Sequence, residues 1–146
     1  IQDGPVNREE KKKTQKEVIE LFLSWMQDCE EQTFAGENPS FDRDFLAATA
    51  QREGVAWTVV YRTIDLHTLA YTHFLRHGLV PPQKNKRTAI HLDFILTLVG
   101  LPEEAKPHHA LTGAKMEAEA FSRLLFGKNL LKEFSSYPVP EGLKKN

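Results

Sequence analysis

Cysteine is all but missing from this 146-residue chain, which holds Cys29 alone. A lone cysteine excludes an internal disulfide, so a reducing compartment, the cytoplasm, is expected. It has no CxxC partner, and a zinc site built on it is not expected. Long apolar runs are missing too. No stretch approaches a membrane span and no signal-peptide apolar region is seen, so no membrane partner is expected. Charge of one sign is absent: 19 Lys and Arg stand against 20 Asp and Glu, a net charge of -1. That balance neither announces nor excludes nucleic acid, because a small basic patch suffices on a neutral protein. There is no internal repeat and no low-complexity tract. The first residue is Ile1 and not Met, which suggests a processed or partial product.

Present instead is the composition of a globular domain, 40% hydrophobic and 27% charged residues, at a length that suits one domain. Asn7 and Glu10 resemble a capping box, and a helix is expected from about Glu9 to about Asp28, with Val18, Ile19, Phe22, Leu23 and Met26 inward. Gln32 to Glu37 reads as a buried strand ending in a turn. Phe41 to Glu53 reads as a second helix, with Phe41, Phe45, Leu46, Thr49 and Ala50 inward and Gly54 stopping it. "WTVVYRTI", Trp57 to Ile64, is rich in β-branched and aromatic residues and predicts a strand. Leu66 to His77 is a third helix closed by Gly78. A basic loop with Lys84, Lys86 and Arg87 leads to a short helix from His91 to Val99. The last helix begins near Ala110 with Leu111, Ala114, Ala118, Phe121 and Leu125 inward, and Gly127 caps it. The tail is expected to be irregular.

Strands alternating with helices indicate an α/β layer with parallel strands. Two strands make a poor sheet, since three or more are normally needed. More β-structure than this chain displays is therefore expected in the complete domain.

Two segments carry a resemblance. "AGENPSFDRDFL" has a strand end, a polar turn with Asn38, and Phe41-Asp42 opening a helix. "KPHHALTGAKMEAEAFSRLL" has a Pro-His pair, then Ala-Leu, then an acidic, alanine-rich helix. Between them lie "TIDLHTLA" and "HLDFILTLVGLP". In this order, from about Glu9 to about Phe126, the chain resembles the DEDDh 3′–5′ exonuclease family, whose fold is ribonuclease H-like: α/β, a mixed sheet flanked by helices. The resemblance implies removal of nucleotides from a DNA or RNA 3′ end. Two divalent ions, Mg²⁺ or Mn²⁺, would be held by four carboxylates, and a His would be the general base. By the same resemblance Asp42 is a metal ligand, His108 the general base and Asn38 the polar turn residue at the substrate. It also implies a single-stranded 3′ end as partner, with a polymerase or other protein partner conceivable for a proofreading subunit.

The chain departs from that pattern at three places. Gly113 stands at the lost ligand position, where the family has its final Asp. No strand-borne Asp-x-Glu precedes Asp42. Glu37 stands where the family commonly has His. The expectation is thus a single, partial exonuclease-like domain over residues 1–146, its N-terminal strands missing and its activity weak or absent. The alternative is a catalytically inactive relative that binds nucleic acid or a protein partner.

Each residue also has a plainer reading. Asp42 suits a helix start through the macrodipole alone. His109 competes with His108. His73 and His77 stand four apart, a zinc-compatible spacing, but no third ligand is evident and a solvated face is preferred. Asp65 follows its strand and could lie near a site. The basic segments Lys11–Lys13 and Lys84–Arg87 read as solvated, the second with some capacity for phosphate contact.

Overall fold

Thr14 starts the first helix, α1 (Gln15–Gln27), in the computed structural model, which describes residues 12–144. Its hydroxyl accepts the Glu17 N–H at 3.2 Å while the Glu17 carboxylate accepts the Thr14 N–H at 2.7 Å. This reciprocal pair satisfies backbone donors that the helix leaves open. The capping box read at Asn7 and Glu10 lies outside the described residues. Residues 12–14 are not helical, so α1 begins later than the expected Glu9.

The chain divides into two compact units, one of residues up to Thr33 with Phe41–Tyr61, the other of Phe34–Ser40 with Arg62 onward. In the first, Ile19, Leu23 and Met26 of α1 are buried, while Val18 is exposed against expectation. Phe22 stacks on Trp57 with ring centroids 6.4 Å apart. Helix α2 (Pro39–Arg52) starts at Pro39, whose fixed φ and missing N–H suit a first helical position. Thr49 and Ala50 are buried, but Phe41 and Phe45 are 68% and 61% exposed. The apolar stripe is covered only at its C-terminal end, which corrects the expected inward set. The strand expected over Trp57–Ile64 also fails. Trp57 to Arg62 is irregular, and only its end joins a strand. β-propensity expresses fit to a pleated neighbour, and no strand of the described residues pairs with this stretch.

In the second unit, β1 (Phe34–Gly36) pairs in parallel with β2 (Thr63–Asp65), with Gly36 opposite Asp65. Helices α3 (Leu66–Arg76), α4 (Leu92–Leu98) and α5 (Ala110–Phe126) follow, with short 3-10 turns at Lys132–Phe134 and Glu141–Leu143. The loop expected at 80–88 holds a hairpin of β3 (Gln83–Lys84) and β4 (Arg87–Thr88). Its two linking residues, Asn85 and Lys86, have φ of 52° and 61°, the left-handed pair of a tight two-residue hairpin turn. Asn-Lys is a weak sequence signal for that turn, because only Asn enters this region readily.

The core of this unit joins Leu66 and Ala70 of α3, Ile95 and Leu96 of α4, and Met116 and Ala120 of α5. The buried face of α5 is thus rotated from the expected one. Leu111 is 60% exposed, whereas Glu119 and Arg123 are fully buried. The reason is a satisfied polar network. Arg123 donates to the Glu119 carboxylate at 2.9 Å and to the carbonyls of Val99, Phe134 and Tyr137. The second Glu119 oxygen accepts the N–H groups of Leu130 and Leu131. A buried charge pair is tolerated only with such complete pairing, and this one ties the C-terminal tail to α5. The chain is therefore a mixed α/β protein with five helices and two very small sheets among its described residues.

Candidate functional site

Gly36 ends β1 close against the Glu117 carboxylate. A Cβ there would lie 2.6 Å from Glu117 Oε2 of α5. That oxygen accepts the Glu37 N–H at 3.1 Å. The next residue, Asn38, has φ 54°, a left-handed conformation Asn tolerates better than most residues. Its N–H donates to Asp65 Oδ1 at 3.3 Å. Two carboxylates from distant parts of the chain thus hold the turn between β1 and α2.

Asp65 is also the N-cap of α3, accepting the N–H groups of His67 and Thr68 and the Thr68 hydroxyl. Its oxygens satisfy helix-end donors, the ordinary task of an N-cap. Asp42 lies in the first turn of α2, exposed, and belongs to the first unit, while Asn38, His108 and Gly113 belong to the second. The Asp28-Cys29-Glu30 triplet falls at the C-terminal end of α1 and not on a strand.

Before α5 stands a second arrangement. His108 Nδ1 lies 2.8 Å from Glu104 Oε2. The His108 side chain is 64% exposed and that of Glu104 only 10%. Gly113, in the first turns of α5, faces the same carboxylate: a Cβ there would meet Glu104 Oε1 at 3.2 Å. His109 is the N-cap residue of α5 and makes no capping hydrogen bond. Neither Glu104 nor Glu117 stood out in the sequence. Glu117 could have been found as the acidic residue one helical turn beyond Gly113. Glu104 sits in a connecting segment with no periodicity to mark it.

On α3 the rings of His73 and His77 are 4.2 Å apart, and His77 Nδ1–H donates to the His73 carbonyl. They line a cavity of about 320 Å³ with Thr72, Arg76 and Lys144. Burial, then the neighbouring His77, pushes the His73 pKa below its usual 6.5. The hairpin exposes Lys84, Lys86 and Arg87, and none has an ion-pair partner among the described residues.

Among the described residues no group of three or more His, Cys, Asp or Glu side chains could hold a metal ion. No helix of the described residues is long and apolar enough to cross a membrane. Compared with known proteins, the chain matches no family model, no curated protein and no solved structure.

Proposed function

We propose that this chain is an exonuclease-like domain of the ribonuclease H-like kind, acting on nucleic-acid 3′ ends with His108 as general base. The observation that carries the reading is the end of the parallel pair β1–β2. Gly36 and Asp65 stand opposite one another, and the strand runs directly into the Asn38 turn and the helix bearing Asp42. In α/β sheets, sites form outside the carboxyl ends of parallel strands. His108 supports the reading with an open ring beside a carboxylate. The exposed cations of the hairpin, Lys84, Lys86 and Arg87, suit a phosphate backbone, where such contacts fix register without reading sequence.

The metal pair that the resemblance implies, Mg²⁺ or Mn²⁺ with Asp42 as one ligand, does not fit the described residues by themselves, because no three donors converge. The chemistry assigned to this chain is confined to its own side chains. His108 takes the proton of the attacking water at Nε2 as the water oxygen bonds to phosphorus. The bond from phosphorus to the preceding nucleotide's 3′ oxygen breaks, and that oxygen is protonated from solvent. A general base contributes roughly 10²–10⁴-fold. The second reading, an inactive relative that binds nucleic acid or protein, is favoured by Gly113 at the lost ligand position.

The test is degradation of a labelled single strand, DNA and RNA in turn, by the full chain with Mg²⁺ or Mn²⁺. The parent is compared with Asp42→Ala and His108→Ala. Stepwise loss from the 3′ end that both variants reduce supports the enzyme. Binding of the strand without any cleavage supports the inactive relative.

A further inference from the structure

The geometry points to Glu104 as the positioning residue for His108, seated in space that Gly113 leaves open. The inference rests on the reading of His108 as a general base. An ionised carboxylate only accepts hydrogen bonds. With Glu104 Oε2 2.8 Å from His108 Nδ1, the neutral ring therefore carries its proton on Nδ1. That leaves the Nε2 lone pair bare on a side chain that is mostly exposed, ready to take a proton from water. Free imidazole prefers the opposite tautomer, so the carboxylate does for His108 what an orienting acid does for any histidine base.

Gly113 explains how the carboxylate gets there. A Cβ at this position would approach Glu104 Oε1 to 3.2 Å, a tight contact that the carboxylate would have to relieve by shifting a few tenths of an ångström. A glycine inside a helix is disfavoured relative to alanine. Gly113 is not in a left-handed conformation that would require it. Room for Glu104 is thus the local reason for a residue the helix itself disfavours. A carboxylate from the preceding segment stands beside the position where the resembling family carries one on the helix. Here it is turned toward the histidine.

The experiment is ¹⁵N NMR of the histidine side chains in the full chain, at a pH where His108 is neutral. His108 is assigned by its loss in His108→Ala. The expected result is a predominantly Nδ1–H tautomer in the parent and a reversal toward Nε2–H in Glu104→Ala. Gly113→Asp should shift it the same way, because the second carboxylate repels Glu104 from its seat. If the chain degrades strands, Glu104→Ala should lower kcat about tenfold with KM unchanged, as for a group acting only in the transition state. An unchanged tautomer in both variants overturns the assignment, even where degradation is seen. A shifted tautomer in a chain that degrades nothing upholds the pairing and removes the exonuclease reading instead.

Discussion

Two glutamates in this protein each stand four residues ahead of a basic side chain they bind, Glu119 with Arg123 at 2.9 Å and Glu104 with His108 at 2.8 Å. The spacing and the distances are nearly equal, yet the surroundings are opposite. Both side chains of the first pair are 0% exposed, whereas His108 of the second is 64% exposed. In the buried pair, one Glu119 oxygen accepts from Arg123 and the other from two backbone N–H groups, while the remaining Arg123 nitrogens donate to backbone carbonyls. This pair uses an always-charged arginine, which suits a permanent fastening. The open pair uses histidine, whose neutral ring has one nitrogen that donates and one that accepts. Burial and the choice of base thus separate a pair that holds the fold from a pair that is free to react.

The largest effect is expected on the buried side. Arg123→Ala leaves the Glu119 charge in the interior and removes a donor from the Val99, Phe134 and Tyr137 carbonyls, so urea unfolding should lose about 3–5 kcal/mol of stability. On the open side, if the chain degrades strands as proposed, His108→Ala should slow that degradation roughly 10²–10⁴-fold, and in any case urea stability should move by less than ~0.5 kcal/mol. Gly100 comes next. Its φ is 77°, and a Cβ would lie 2.8 Å from the Pro138 carbonyl oxygen. Gly100→Ala should cost about 1–3 kcal/mol through forced backbone strain, read as a lower urea midpoint with unchanged slope.

The smaller effects sharpen the contrast within α5 and α3. Leu111→Thr should change stability by less than about 0.5 kcal/mol, because this leucine faces solvent. His73 adds a pH dependence. With its native pKa depressed below 6.5, the folded protein binds fewer protons than the unfolded chain as pH falls through that range. Its contribution is present above 6.5 and is lost as pH drops through the native value. A His73→Gln variant should therefore show a shallower fall of stability on acidification.

Helix stops were legible because glycine in a left-handed conformation has a local cause. Gly54, Gly78, Gly100 and Gly127 all have φ near 70°, where the sequence placed helix ends. The third helix and the short fourth one fall within a residue or two of their expected bounds. The face of α5 was not legible. Alanines and leucines recur on both sides of it, and the side that wins is chosen by Arg123, whose partners come from Val99, Phe134 and Tyr137 far along the chain. The stretch from Trp57 to Arg62 misled for a related reason, since strand formation needs a neighbour that local composition does not reveal. At the candidate site, the Asn38 turn and the position of His108 before α5 were readable from local pattern. Glu117 binds the turn from 80 residues away, Asp65 adds to its local N-cap role a bond to Asn38, and Glu104 pairs with His108 from an irregular segment; of the three only Asp65 drew notice, because it follows its strand directly.

Urea unfolding of Glu119→Gln and Glu104→Gln, side by side in the full chain, tests the division of labour most directly. Each change removes one charge and keeps the side-chain shape. Glu119→Gln puts an amide where one oxygen accepts from Arg123 and the other from two backbone N–H groups. It should cost about 3–5 kcal/mol. Glu104→Gln weakens a pair whose histidine is open to solvent, although its carboxylate is mostly covered, and should cost at most about 1 kcal/mol. Equal losses in the two variants, or a larger one at Glu104, would contradict the account.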